Sequence, residues 1–141
     1  MAEVPVGPVR RSPAAEPARR QVSRLALAVF LVGAGTLHFV IPSSYERIVP
    51  RLLGHARALV LVSGAAEVAV GVLVALPRTR RLGAWLAVGL LVAVFPANVQ
   101  MAVDGGVPSA GFPLGSSVGA WLRLPLQVPL VLWALNHARR P

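Results

Sequence analysis

The chain has 141 residues, 55% hydrophobic and only 13% charged, with a mean hydropathy of +0.67. A soluble domain carries about 25% charged residues, so this is the composition of a single integral membrane domain. The formal net charge is +9, but all the basic side chains are arginines in short groups between apolar segments; no basic face with interleaved aromatics exists, and nucleic acid is excluded as a partner.

Residues 1–21, "MAEVPVGPVRRSPAAEPARRQ", are rich in Pro, Ala and Arg without an apolar period and are expected to form a disordered basic tail. Residues 22–137 form the membrane domain, followed by a short basic tail at 138–141. The first span is expected at Val22–Ile41. It follows basic residues as a secretory signal would, but its apolar run continues past "GAG", where cleavage would fall, so a retained span is expected. The connection "PSSYERIVPRLLGHAR" places Tyr45, Ile48, Val49, Leu52 and Leu53 at helical spacing, with Glu46, Arg47 and Arg51 on the other face. Two readings stand for it: a short interfacial helix broken at Pro50, or an ordinary loop. The second span is expected at Ala58–Leu76, the third at Leu82–Val103 and the fourth at Val118–Asn136. At about 1.5 Å per residue each covers a hydrocarbon core of about 30 Å. The fold class is therefore all-α, a four-helix transmembrane bundle.

Arginine placement sets the expected orientation. Arg10, Arg11, Arg19, Arg20 and Arg24 lie before or at the start of the first span, Arg78, Arg80 and Arg81 lie between the second and third, and Arg139 and Arg140 end the chain, against Arg47, Arg51 and Arg57 in the first connection and none from Asp104 to Ser117. With four spans the former groups share one side, so both termini are expected in the cytoplasm. Trp85 and Trp133 then fall at the inner interface and Trp121 at the outer one.

Polar residues within the spans gather at one depth. His38, Ser63, Glu67, Asn98, Arg123 and Gln127 all fall in the outer half, while the inner half is expected to be almost entirely Leu, Val, Ala and Gly. Ser63, Glu67 and Gly71 form one i, i+4, i+8 stripe, and Arg123 and Gln127 form another. A charge left in lipid costs about 2.5–3.5 kcal/mol on insertion scales, so pairing or water access is required. Glu67 and Arg123 are the expected pair, with His38 as a second partner for the carboxylate. Pro96 is expected to kink the third span just before Asn98, and Pro125 and Pro129 to open the fourth around Gln127. Gly33, Gly35, Gly64, Gly71, Gly83 and Gly89 allow close backbone approach. Two interpretations of the polar set remain open: a ligand pocket shared by all four spans, or hydrogen bonds and a salt bridge that only join helices. Thr36 reads as a packing hydroxyl, and His55 and His137 as solvated edge residues.

The ordered set "GTLHF", "PSSYERIVPRLL", "SGAAEVAVGVLVALPRTRRLGAW", "FPANVQMAV" and "RLPLQ", from Gly35 to Gln127, resembles the DoxX-like bacterial membrane proteins. The resemblance implies a four-helix protein of the bacterial plasma membrane. Some relatives are associated with quinone-linked oxidoreductases or with complexes that handle oxidative stress and sulfur compounds. It carries the family-like polar positions onto His38, Ser63, Glu67, Asn98, Arg123 and Gln127. The absence of cysteine assigns any thiol chemistry to a partner. The sequence shows no haem ligand pair, no flavin or nicotinamide fingerprint and no metal-ligand spacing. A self-sufficient enzyme is therefore not expected; no catalytic residue, covalent cofactor or metal is assigned, and a quinone-like molecule is the candidate ligand. Three functions follow as alternatives: an accessory of a membrane redox or oxidative-stress system, a binder or transporter of small amphipathic molecules without a redox role, and a membrane assembly scaffold. The expected partners are membrane lipid, with an oxidoreductase and a second copy of the chain as further candidates.

Overall fold

The computed structural model describes residues 16–107 and 115–139. Among these, every regular element is helical: α1 (Ala18–Val40), α2 (Pro42–Glu46), one 3-10 turn (Arg51–Leu53), α3 (Ala56–Ala75), α4 (Arg80–Ala93), α5 (Phe95–Val103) and α6 (Ser117–Arg139). Four stretches are long and apolar enough to cross a membrane: α1, α3, α4 together with α5, and α6. The architecture is the expected all-α one, and its apolar helices are those of a multi-pass membrane protein. Val29 is 72% exposed and Val22 and Val62 are each 67% exposed, as lipid-facing side chains are in a bundle that has no water-facing apolar economy to satisfy.

The helix ends follow local chemistry. α1 starts at Ala18, ahead of the expected boundary at Val22, because Pro17 presets the entry and its carbonyl accepts the Arg20 and Gln21 amides. Residues 1–15 of the expected disordered tail lie outside the described residues. α3 stops before Pro77, which restricts the residue preceding it. The third span is interrupted at Val94, and α5 begins with Pro96 in its first turn. That is the kink expected of a residue with no amide hydrogen. α6, by contrast, runs unbroken through Pro125 and Pro129, so the expected opening of the fourth span is corrected; in a bundle, neighbouring helices and local adjustment tolerate such prolines. The "PSSYERIVPRLLGHAR" connection takes parts of both readings: α2 before Pro50 and a 3-10 turn after it.

α1 packs most extensively on α3, α3 on α4, and α4 and α5 on α6, while α1 and α6 touch only lightly. One core joins Leu27, Leu31, Val70, Val74, Ala87, Leu91 and Ala134. A second lies toward the α2 end, where Met101, Ala102, Val107 and Ala120 receive Ile48 and Leu124. The connection after α2 therefore closes one end of the bundle. Among the glycines, Gly35, Gly64, Gly71 and Gly83 sit at close approaches, whereas Gly33 and Gly89 face open space and pack against nothing.

Candidate functional site

The α1–α3 crossing builds the site. A Cβ on Gly35 would stand 2.6 Å from the Gly64 carbonyl oxygen, and one on Gly64 would stand 2.6 Å from the His38 Cβ. Two bare backbones therefore meet, and the residues three positions further along each helix come within reach. His38 Nε2 lies 3.9 Å from Glu67 Oε1. The Ser63 hydroxyl donates to the same carboxylate oxygen at 3.4 Å. His38 and Glu67 are 7% and 8% exposed, so both charge-bearing groups are shielded. The His38 Nδ1 is buried, and although the Val60 backbone lies near the ring, no hydrogen bond to Nδ1 is completed.

Tyr45 covers this pair from α2. Its ring meets the imidazole edge-on, with centroids 4.0 Å apart and planes at 65°. Burial pushes its phenol above the ordinary value, the Glu67 carboxylate adds to that rise, and the Arg123 guanidinium opposes it. The phenol thus feels a carboxylate on α3 and a guanidinium on α6 together. Sequence reading placed Tyr45 on an apolar stripe and missed this role. Its position seven residues after His38, across the Pro42 turn, was the available signal.

The other expected site residues are held elsewhere. Asn98 Nδ2 donates to Gln127 Oε1 at 2.7 Å, and Gln127 Nε2 donates to the Leu91 carbonyl, next to the break in the third span. Arg123 Nη1 donates to Met101 Sδ at 2.9 Å. The expected Glu67–Arg123 pair is not formed. α3 packs on α1 and α4, whereas Arg123 on α6 reaches across to α5, so Glu67 meets His38 instead. The six polar residues accordingly divide into an α1–α3 group and an α5–α6 group, with Tyr45 between them, rather than lining one shared pocket.

The opposite end of the bundle is not purely apolar either. Arg24, 3% exposed, donates through Nη1 to the Val74 carbonyl at 2.8 Å and to the Ala75 carbonyl, capping the last turn of α3. Its Nε is 3.1 Å from Glu16 Oε2, which is also 3.1 Å from Arg80 Nη1. Ser23 Oγ lies 3.1 Å from His137 Nε2 and accepts from Trp133 Nε1 at 2.9 Å, joining α1 to α6. The expected apolar inner half and the solvated edge position for His137 are therefore corrected: His137 is 5% exposed. Arg24 reads as a topology signal in sequence, and only the proximity of the α3 C-terminus turns it into a cap. His55, as expected, is exposed.

Among the described residues no group of three His, Cys, Asp or Glu could hold a metal ion. The chemistry available is a buried imidazole–carboxylate pair with one uncommitted ring nitrogen under an aromatic cover. A family model described as "Domain of unknown function (DUF8561)" matches residues 27–138 of the chain. No curated protein and no solved structure matches it.

Proposed function

The chain belongs to the DUF8561 family, and from that premise we propose that it is a multi-pass protein of the bacterial plasma membrane that binds a small amphipathic molecule at the His38–Glu67 pair. The observation that carries this reading is the His38 Nδ1, buried without a completed hydrogen bond, on a ring whose Nε2 lies 3.9 Å from a carboxylate that Ser63 hydrogen-bonds. Buried polar atoms are normally satisfied, and an orphaned one at a charged pair points to a missing partner. An imidazole nitrogen can donate to or accept from a polar head, as its tautomer dictates, and so suits the carbonyl or hydroxyl of a quinone-like ligand. The imidazole and carboxylate can then exchange a proton with that head, while any electrons pass through a partner protein. The DoxX-like resemblance supports placing the chain as an accessory of a membrane redox or oxidative-stress system. The site is read as facing the outer leaflet, since the arginine bias puts α2 outside.

A scaffold reading also has an observation in its favour: the Gly35–Gly64 contact is tight enough for His38 and Glu67 simply to lock α1 to α3. Native mass spectrometry of the protein gently extracted from its own membrane separates the two. On the ligand reading the wild type retains an amphipathic molecule that both His38→Ala and Glu67→Gln lose while remaining folded, and an oxidoreductase subunit travels with the wild type. Equal retention of every copurifying molecule by wild type and variants supports the scaffold.

A further inference from the structure

At the α2 end, the connection from Glu46 to Ala56 and the residues following α5 enclose a cleft of about 640 Å³. Arg47, Arg51 and His55 reach it from the first segment and Asp104 from the second. Glu46 also lines the cleft; its buried Oε1 has no hydrogen-bond partner and lies 3.8 Å from Nη1 of the exposed Arg57. Asp104 Oδ1 accepts only a neutral amide, from Gln100 Nε2 at 2.9 Å. Among the described residues, Arg47 and Arg51 make no ion pair or side-chain hydrogen bond, and Asp104 makes no ion pair. Charges of opposite sign therefore border one cleft without meeting across it. Directly beside Arg51, Leu52 is 96% and Leu53 59% exposed. In a membrane protein, such side chains at an interfacial turn enter the acyl region, and basic neighbours stay at headgroup level.

A ligand that carries both signs answers this arrangement. Guanidinium groups match phosphate oxygens through charge-assisted hydrogen bonds, and a carboxylate accepts from a primary ammonium. We propose that the cleft binds a phosphoethanolamine group as part of a membrane phospholipid, with phosphate on Arg47 and Arg51, ammonium on Asp104, and acyl chains leaving over Leu52 and Leu53. The amine must be primary, because a quaternary choline has no hydrogen to donate to Asp104. This site is separate from the His38–Glu67 pair and stands whether or not that pair binds a ligand.

The test uses the full chain in nanodiscs holding equal amounts of phosphatidylethanolamine, phosphatidylcholine and phosphatidylglycerol, with retained lipid read by native mass spectrometry. The wild type is expected to keep phosphatidylethanolamine in preference to the other two. The Arg47→Gln/Arg51→Gln variant should lose most of the retained phosphatidylethanolamine, because both charge-assisted bonds to the phosphate are gone. Asp104→Asn should abolish the preference for ethanolamine over glycerol while keeping the phosphate interaction. Arg78→Gln/Arg81→Gln, at the other end of the bundle, should change nothing; an equal loss there would reduce the effect to bulk charge and overturn the site. Soluble glycerophosphoethanolamine should displace the lipid only weakly, and displacement at equal concentration would overturn the lipid as the source of the group. Equal retention of all three lipids by the wild type overturns the proposal whether or not any variant folds.

Discussion

Glu67 is held by two neighbours, the Ser63 hydroxyl on its own helix and the His38 imidazole across the crossing. Removing one member of a buried pair leaves the other without compensation, so single substitutions cost more than the pair is worth. His38→Ala and Glu67→Gln should therefore be non-additive, with a coupling of about 0.5–3 kcal/mol in a double-mutant cycle read from denaturation in mild detergent. Glu67→Gln and Arg123→Gln should couple more weakly than His38→Ala and Glu67→Gln, because the guanidinium engages Met101 and shares only the field at Tyr45 with the carboxylate. The reverse pattern would restore Arg123 as the partner of the carboxylate. Tyr45 gives a pH dependence with a defined sign. Burial, reinforced by Glu67, raises the phenol value in the folded protein, with Arg123 opposing. A raised value means the fold favours the neutral phenol. Its stabilisation is complete below about pH 10, the ordinary value for tyrosine, and is lost as pH climbs through the raised value. The wild type should thus lose stability more steeply above pH 10 than Tyr45→Phe; identical slopes would put the phenol in water.

The paired element α1–α3 depends on two missing side chains. A Cβ on Gly35 would also come within 2.8 Å of the Glu67 Cβ, and one on Gly64 within 2.8 Å of the Gly35 carbonyl oxygen. These are backbone and stem atoms that cannot swing aside, so Gly35→Ala and Gly64→Ala should each destabilise by about 1–3 kcal/mol, as overpacking does. Gly33 meets nothing within 4 Å, and Gly33→Ala should be neutral or stabilise by up to about 1 kcal/mol through helix propensity alone. Melting temperatures of the three variants in one detergent decide this, and a similar response at all three positions would mean that α1 and α3 do not cross there. The same crossing aligns His38 with Glu67, so Gly64→Ala should weaken ligand retention more than an equally destabilising change in the apolar core, such as Leu31→Ala, does.

For the whole molecule, the proposal that both termini face the cytoplasm rests on an even number of spans and on the arginine bias. A reporter active only outside the cytoplasm should be silent when fused at the C-terminus and active when inserted between Asp104 and Ser117. The opposite result would invert the bundle and turn the α2 end, with both the His38–Glu67 pair and the lipid cleft, inward. The inner-end network supports a well-anchored first helix under either orientation, since Arg24 caps α3 and Ser23 binds the Trp133 and His137 of α6.

The sequence by itself determined the class of fold. Four apolar stretches long enough for the bilayer predict four long apolar helices, which the structure has, and Pro96 marks the break in the third span because a missing amide hydrogen acts locally. It also picked out the polar residues, because charge and amide groups are conspicuous against Leu, Val and Ala. Partners were a different matter. Whether Glu67 meets His38 or Arg123 depends on which helices are neighbours and how closely they approach, and no spacing within one helix carries that information. The Gly35–Gly64 contact, the return of Tyr45 over His38, the capping of α3 by Arg24 and the burial of His137 all join residues far apart in the chain. Only the tertiary structure decides them, because a buried polar group takes whichever partner the packing of backbones brings within hydrogen-bond reach.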